Sequence, residues 1–177
     1  MKKYEFTGET KEIRLLFRTA TLHRIRATVA FGIVEVGDLG GWIEKEENLS
    51  HEGKAWVCGD AKVWGNAKVC GDAKVWGNAK VCGDAKVCGD AKVFSASHVL
   101  VIGAIGSRND FTTFYRDKDN EITVKCGCFL GKIDRFLEKV IQTHGDSKYA
   151  LVYRAAVEVA KLQIDLSGEA PKDADEE

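Results

Sequence analysis

The sequence lacks the marks of a secreted, membrane-spanning or nucleic-acid-binding protein. Its apolar run Val99–Ile102 is far too short to cross a bilayer, which takes about 20 apolar residues. No apolar stretch follows the basic start Met1-Lys2-Lys3, so we expect no signal peptide. The 26 basic and 27 acidic residues leave a net charge of −1, which favours neither nucleic acid nor an anionic membrane as partner. These absences predict a cytoplasmic protein.

The six cysteines also lack the Cys-x-x-Cys spacing of a zinc ribbon. Cys126-Gly127-Cys128 is a lone Cys-x-Cys pair and only weak support for a metal site. We therefore expect no metal and no cofactor.

The sequence is rich in one repeated hexapeptide. Six consecutive copies fill residues 58–93, and they begin at Cys58, Trp64, Cys70, Trp76, Cys82 and Cys88. Looser copies occupy residues 52–57 and 94–99. In each unit Ala-Lys-Val alternates apolar and charged side chains, which predicts a short strand with Ala and Val inward and Lys outward. Gly-Asp or Gly-Asn then provides a tight corner.

This segment resembles the left-handed parallel β-helix of hexapeptide-repeat proteins. The resemblance implies 18 residues in each coil, with Val63 and Ala67 at inward positions. We therefore expect a mainly β fold, a left-handed parallel β-helix with a small C-terminal α+β unit. Residues 18 apart then stack at about 4.8 Å, the ordinary strand spacing.

Stacking brings two thiols together at one place, Cys70 and Cys88. The slot that they occupy holds Trp64 and Trp76 in other units, which indicates packing rather than bridging. Because in-register side chains of parallel strands point alongside each other, we predict free thiols throughout. The outward lysines are most simply a solvated face, since aspartates lie between them, and a cationic face for phosphate is the alternative.

We divide the chain into a β cap (1–50), the repeat (51–99), an α+β unit (100–166) and a disordered acidic tail (167–177). In the cap, the alternation in 23–27 and 32–36 predicts strands. In the α+β unit, a buried strand at 99–102 precedes a hairpin whose strands are 111–115 and 121–125. A helix should follow from Ile133 to the stop at Gly145. A second helix should run from a cap at Asp146 or Ser147 to about Leu166, with Tyr149, Val152, Ala156 and Val159 on one face, which we take as its inner face.

Further motifs resemble a group of hexapeptide-repeat proteins encoded by phages and prophages of Gram-positive bacteria. The motifs are Gly40-Gly-Trp-Ile43, Ile105-Gly-Ser-Arg108, Lys125-Cys-Gly-Cys-Phe129 and Thr143-His-Gly145. The resemblance spans most of the chain and implies a phage context, with no established chemistry.

The glycine-rich bend 103–110 is the best candidate site, because backbone N–H groups beside a guanidinium suit an anion. We predict a non-enzymatic, anion-binding pocket, centred on Arg108 and completed by a neighbouring subunit, for a host nucleotide signal that acts in anti-phage defence. Its residues are Ser107, Arg108, Asn109, Thr112, Thr113, Tyr115, Lys125 and His144. A plain tight turn, in which Arg108 pairs with Asp110, is the simpler alternative.

Two other functions stay open. Acyl- or acetyltransferases of the hexapeptide-repeat type use a histidine base, for which His98 and His51 are the candidates, although no looping insertion builds an acceptor pocket. The third option is a structural module of a phage tail or of phage assembly, although two to three coils form only a short rod.

The outward Trp64 and Trp76 predict an interface between subunits, because an exposed indole is a strong contact residue. We expect a homo-oligomer, most simply a trimer. Light scattering at micromolar concentration should give three times the mass of one chain, and a monomer would contradict the prediction.

Overall fold

A computed structural model describes residues 2–168 of the chain, so most of the predicted acidic tail lies outside the described residues. The strands are β1 Tyr4–Arg14, β2 Thr19–Ala27, β3 Leu39–Ile43, β4 Trp56–Val57, β5 Lys62–Val63, β6 Lys68–Val69, β7 Lys74–Val75, β8 Lys80–Val81, β9 Lys86–Val87, β10 Lys92–Val93, β11 Val99–Ile105, β12 Asp110–Arg116, β13 Ile122–Cys126 and β14 Phe129–Lys132. The helices are α1 Ile133–His144 and α2 Lys148–Gln163.

The repeat pairs each short strand with the strand 18 residues later, so the predicted register is confirmed. Lys62 pairs in parallel with Lys80, and Lys68 pairs with Lys86. Successive units join different sheets in turn: β4, β7 and β10 form one, β5 and β8 a second, and β6 and β9 a third. Consecutive units therefore face different directions, whereas every third unit stacks.

The predicted fold class, a mainly β protein built on a continuous left-handed parallel β-helix, is wrong. Within residues 2–168 the fold is mixed, with fourteen strands in four small separate sheets, two of them parallel, and two helices. Each hexapeptide contributes a strand of only two residues before its glycine corner interrupts the strand. The longer strands β1 and β2 and the sheet β11–β14 pair antiparallel, so they do not continue the repeat.

The interior of the repeat consists of the alanines and valines that the alternation placed inward. Val63 and Ala67 are fully buried, as are their counterparts in the later units up to Val87. Each buried valine removes apolar surface from water, which stabilises the fold by about 1.5–3 kcal/mol per side chain.

The N-terminal cap is an antiparallel hairpin of β1 and β2, joined by β3 to the repeat strand β5. Strand β2 covers the predicted 23–27, but the predicted strand at 32–36 is absent from the described structure, which has only an isolated bridge from Phe31 to Val34 there. Gly40 and Gly41 allow close packing, because a Cβ on Gly40 would lie 2.4 Å from Ile25.

The C-terminal unit places α1 and α2 against the sheet β11–β14. The predicted hairpin and first helix are confirmed, and Gly145 ends α1. Strand β11 is longer than predicted and only partly buried. The predicted inner face of α2 is wrong apart from Ala156: the buried residues include Tyr153 and Val157, whereas Val152 and Val159 are 40% and 48% exposed. Neither helix among residues 2–168 is long and apolar enough to cross a membrane.

Gly77 and Gly83 lie at corners of the repeat and have the same backbone conformation, but they differ in how closely the next coil packs against them. Gly77 and Gly83 both have φ of +64°, which an L side chain adopts at a cost of about 1–2 kcal/mol. A Cβ on Gly77 would lie 2.8 Å from the carbonyl oxygen of Phe94, whereas a Cβ on Gly83 meets nothing within 4 Å.

We predict that Gly83→Ala lowers Tm by about 2–6 °C, and that Gly77→Ala lowers it further because the stacked backbone must shift. Calorimetric melting of both variants measures the difference. Equal losses in the two would show that the corners do not stack as closely as the structure has them.

Candidate ligand-binding cleft

The predicted site residues Ser107, Arg108 and Asn109 lie in the turn between β11 and β12, and all three are exposed. This turn rests against α2, because a Cβ on Gly106 would lie 1.9 Å from the hydroxyl of Tyr153. Arg108 reaches the neighbouring turn, where its Nη1 lies 3.6 Å from the position of a Cβ on Gly127. No ion pair joins Arg108 to Asp110 in the part of the chain that the structure describes.

Thr112, Thr113 and Tyr115 are buried in β12 and bind other protein groups. The Thr113 hydroxyl accepts a hydrogen bond from the Lys86 N–H at 3.0 Å, and the Tyr115 hydroxyl donates to the Cys88 carbonyl at 2.8 Å. Thr112 donates to Cys126 Sγ at 3.3 Å on the opposite face of the strand. Thr113 and Tyr115 therefore dock the C-terminal sheet onto the repeat.

Lys125 and His144 lie on opposite faces of this sheet. Lys125 pairs with Thr113 across the strands and so faces the repeat. His144 stacks on Tyr153 at 5.8 Å on the helical side. The structure thus leaves three of the eight predicted residues in an exposed turn and divides the other five between the two sides of one sheet, and their role in ligand binding stays a prediction.

A cavity of about 660 Å³ lies where the cap, the repeat and the C-terminal unit meet. We call it the central cleft. It is lined by Glu46, Glu47, Leu49, Ser50, His51, Lys68, Val69, Cys70, Lys86, Cys88, Lys125 and Gly127. Its floor is the two-stranded sheet β6–β9, and its walls come from segments far apart in the sequence.

Three ammonium groups dominate the charge of the central cleft. Lys68 and Lys86 stand side by side because their strands pair in register. Neither has an ion-pair partner among residues 2–168, whereas Glu46 on the wall binds Lys2 at 2.6 Å. Lys125 completes the set, with its Nζ 2.7 Å from the Gly127 carbonyl. Glu46 and Glu47 also line the cleft, so the three ammonium groups exceed the carboxylates by one charge, and this excess favours an anion beside Lys68 and Lys86.

His51 lies on the wall of the central cleft and is held in one tautomer. Its Nδ1 accepts the backbone N–H of Lys3 at 3.1 Å, so the neutral ring carries its proton on Nε2. Burial lowers the pKa of His51, which favours this neutral form, although Glu46 opposes the shift. Its Nε2 is buried and has no hydrogen-bond partner within residues 2–168; the nearest carboxylate oxygen of Glu46 is 4.0 Å away.

A smaller cavity of about 440 Å³ adjoins the central cleft and shares Glu47, Lys68 and Lys86 with it. We call it the side pocket. Its other lining residues are Lys45, Asn66, Ala67, Asp84, Asp110 and Phe111.

His98, which takes the position of the outward lysines in the last, looser copy of the hexapeptide, is only 2% exposed. Its Nδ1 accepts the Phe94 N–H at 3.3 Å, and burial lowers its pKa. The C-terminal unit covers this position, which the local pattern could not indicate. Trp64 and Trp76 are half-buried, and Trp76 packs on Phe94 at 5.1 Å.

The prediction of free thiols throughout is wrong, because Cys70 and Cys88 form a disulfide. Their Cα atoms are 4.6 Å apart, which lies within the range that a bridge can span. The stacking was foreseen, but the side chains turn toward each other instead of running alongside. The bridge joins the two strands that carry Lys68 and Lys86.

Sequence reasoning named His51 only as a candidate base and favoured a solvated face for the lysines of the floor. The register already placed Lys68 beside Lys86, and this was the available signal. The repeat pattern does not indicate which side of the repeat the C-terminal sheet covers. The hydrogen bonds of Thr113 and Tyr115 set that side.

Comparisons with models of protein families and with curated proteins find no match to this chain. The resemblance to phage-encoded hexapeptide-repeat proteins therefore stays a prediction.

We predict that thiol titration of the unfolded, unreduced protein finds four thiols, from Cys58, Cys82, Cys126 and Cys128. Cys88→Ser should destabilise the protein by about 3 kcal/mol, as expected for a loop of this length. Cys82→Ser is the matched control, because Cys82 holds the same repeat position as a free thiol. Six titratable thiols would contradict the bridge.

Proposed function

We propose that this protein is a non-enzymatic binding protein that holds a small anionic ligand of the nucleotide type in the central cleft. The observation that carries the proposal is the set of three lysines, Lys68, Lys86 and Lys125, around one cavity. A phosphate oxygen accepts hydrogen bonds from ammonium groups, and charge-assisted bonds of this kind are about twice as strong as neutral ones.

The cleft also has donors that suit a phosphate ester. Ser50 offers a hydroxyl, and His51 beside it is held as the neutral tautomer with its proton on Nε2. Arg108 stands at the rim behind Gly127, so it can approach a ligand that extends beyond the cavity. In this proposal Arg108 supports the site, whereas the lysines of the repeat form its centre.

The chemistry of His51 favours binding over acyl transfer. A general base must accept a proton from its substrate, but Nδ1 of His51 already accepts the Lys3 N–H and Nε2 carries the remaining proton. His98, the second candidate base, is enclosed by protein. The acyltransferase alternative therefore needs a rearrangement of His51, and binding needs none.

The wider setting is proposed from the sequence resemblance. The protein would act in the cytoplasm of a bacterial host, as a homo-oligomer made by a phage, and would sequester a nucleotide-derived signal of anti-phage defence. Sequestration requires tight binding without turnover, which agrees with a cleft that presents fixed donors.

Calorimetry against cyclic dinucleotides, NAD-derived nucleotides and acetyl-CoA tests this proposal. We expect nucleotide binding that weakens with salt, and a loss of at least about ten-fold in affinity for Lys86→Ala, because one charge-assisted bond disappears. Arg108→Ala should weaken binding less than Lys86→Ala does.

Lys80→Ala is the matched control, since Lys80 holds the same repeat position on another sheet and is absent from the cleft lining. It should bind like the unaltered protein. Turnover of acetyl-CoA that depends on His51 would overturn the proposal in favour of an acyltransferase.

A further inference from the structure

The central cleft and the side pocket form one groove with two chemically different ends. They share Lys68 and Lys86, so a ligand held by these ammonium groups can extend in either direction. Beyond the two shared lysines, the side pocket adds Lys45, Asn66, Asp84, Asp110 and Phe111.

Apart from Lys45, the charged groups that this far end adds are the carboxylates of Asp84 and Asp110. The Asn66 amide nitrogen donates to Asp84 at 3.1 Å, which leaves the Asn66 carbonyl and the second Asp84 oxygen to accept. Asp110 accepts the Phe111 N–H at 2.7 Å through one oxygen and retains the other. Ionised carboxylates only accept, so this end selects a partner with several N–H donors.

Phe111 adds an apolar surface beside these acceptors. Its ring lies against the backbone of Gly103, because a Cβ on Gly103 would be 2.3 Å from the ring. The ring is only half-buried and also lines the side pocket. An aromatic ring next to hydrogen-bonding groups is the usual means of holding a nucleobase, since stacking acts on its face and polar groups act on its edge.

We propose that the side pocket binds a guanine-type base, with the phosphate groups of the same nucleotide on the lysines of the central cleft. Guanine presents its N1–H and its exocyclic amino group side by side, so the remaining carboxylate oxygens at this end can accept from both. Adenine places a ring acceptor beside its amino group, which would meet a carboxylate with repulsion. This inference rests on the proposed function and names its class of ligand.

Calorimetry with GMP, IMP, AMP and inorganic pyrophosphate separates the two ends of the groove. IMP keeps the N1–H but lacks the amino group, so we expect it to bind about ten-fold more weakly than GMP. AMP should bind more weakly than IMP. The double variant Asp84→Asn and Asp110→Asn should lose the preference for GMP while it still binds pyrophosphate.

Asp72→Asn is the matched control, because Asp72 holds the same repeat position outside the side pocket, and it should keep the preference. Equal affinities for the three nucleotides would overturn the guanine assignment, and pyrophosphate binding would then still support the proposed function. Binding of neither nucleotides nor pyrophosphate would overturn both. A melting curve for each variant shows that it is folded.

Discussion

The structure depends on backbone hydrogen bonds between strands that lie 18 residues apart. Lys62 N donates to the Ala79 carbonyl at 3.0 Å, and Trp64 N donates to the Val81 carbonyl at 3.1 Å. These bonds form only if every corner turns tightly, which the glycines with positive φ allow. Each side chain then lies beside its counterpart one coil away. The two lysines of the cleft floor and the bridged cysteines are both consequences of this register.

The central cleft exists because the repeat holds the N-terminal cap and the C-terminal unit at a fixed separation. The cap places His51 on one wall, and Thr113 and Tyr115 fix the C-terminal sheet that places Lys125 on the other. The docking bonds are buried, so breaking one would leave an unsatisfied polar group at a cost of about 1–3 kcal/mol. Hydrogen bonds within the protein therefore fix the position of Lys125 before any ligand binds.

Sequence reasoning succeeded where spacing alone decides the outcome. The inward valines and helix α1 follow from alternation and periodicity, which are local properties, whereas the register follows from the 18-residue coil that the resemblance implies. It failed where contacts between distant segments decide. The apolar residues of α2 fit two faces of a helix, and only packing against the sheet selects Tyr153 over Val152. The burial of His98, the bridge from Cys70 to Cys88 and the side of the repeat that becomes a cleft likewise depend on tertiary packing. The predicted fold class was wrong because it did not allow for the extent of the antiparallel sheets on either side of the repeat.

The arrangement of donors and acceptors along the groove has a further consequence for selectivity. A protein with a net charge of −1 has no general attraction for anions, so its affinity for them must come from local groups. Lys68 and Lys86 attract any phosphate, and the screening of such charges by salt makes this attraction weakly specific. The carboxylates of Asp84 and Asp110 repel an anion that lacks a donor-bearing group to cover them. A free phosphate therefore forms bonds only at the lysine end of the groove. A ligand that carries both a phosphate and a donor-rich base forms bonds at both ends.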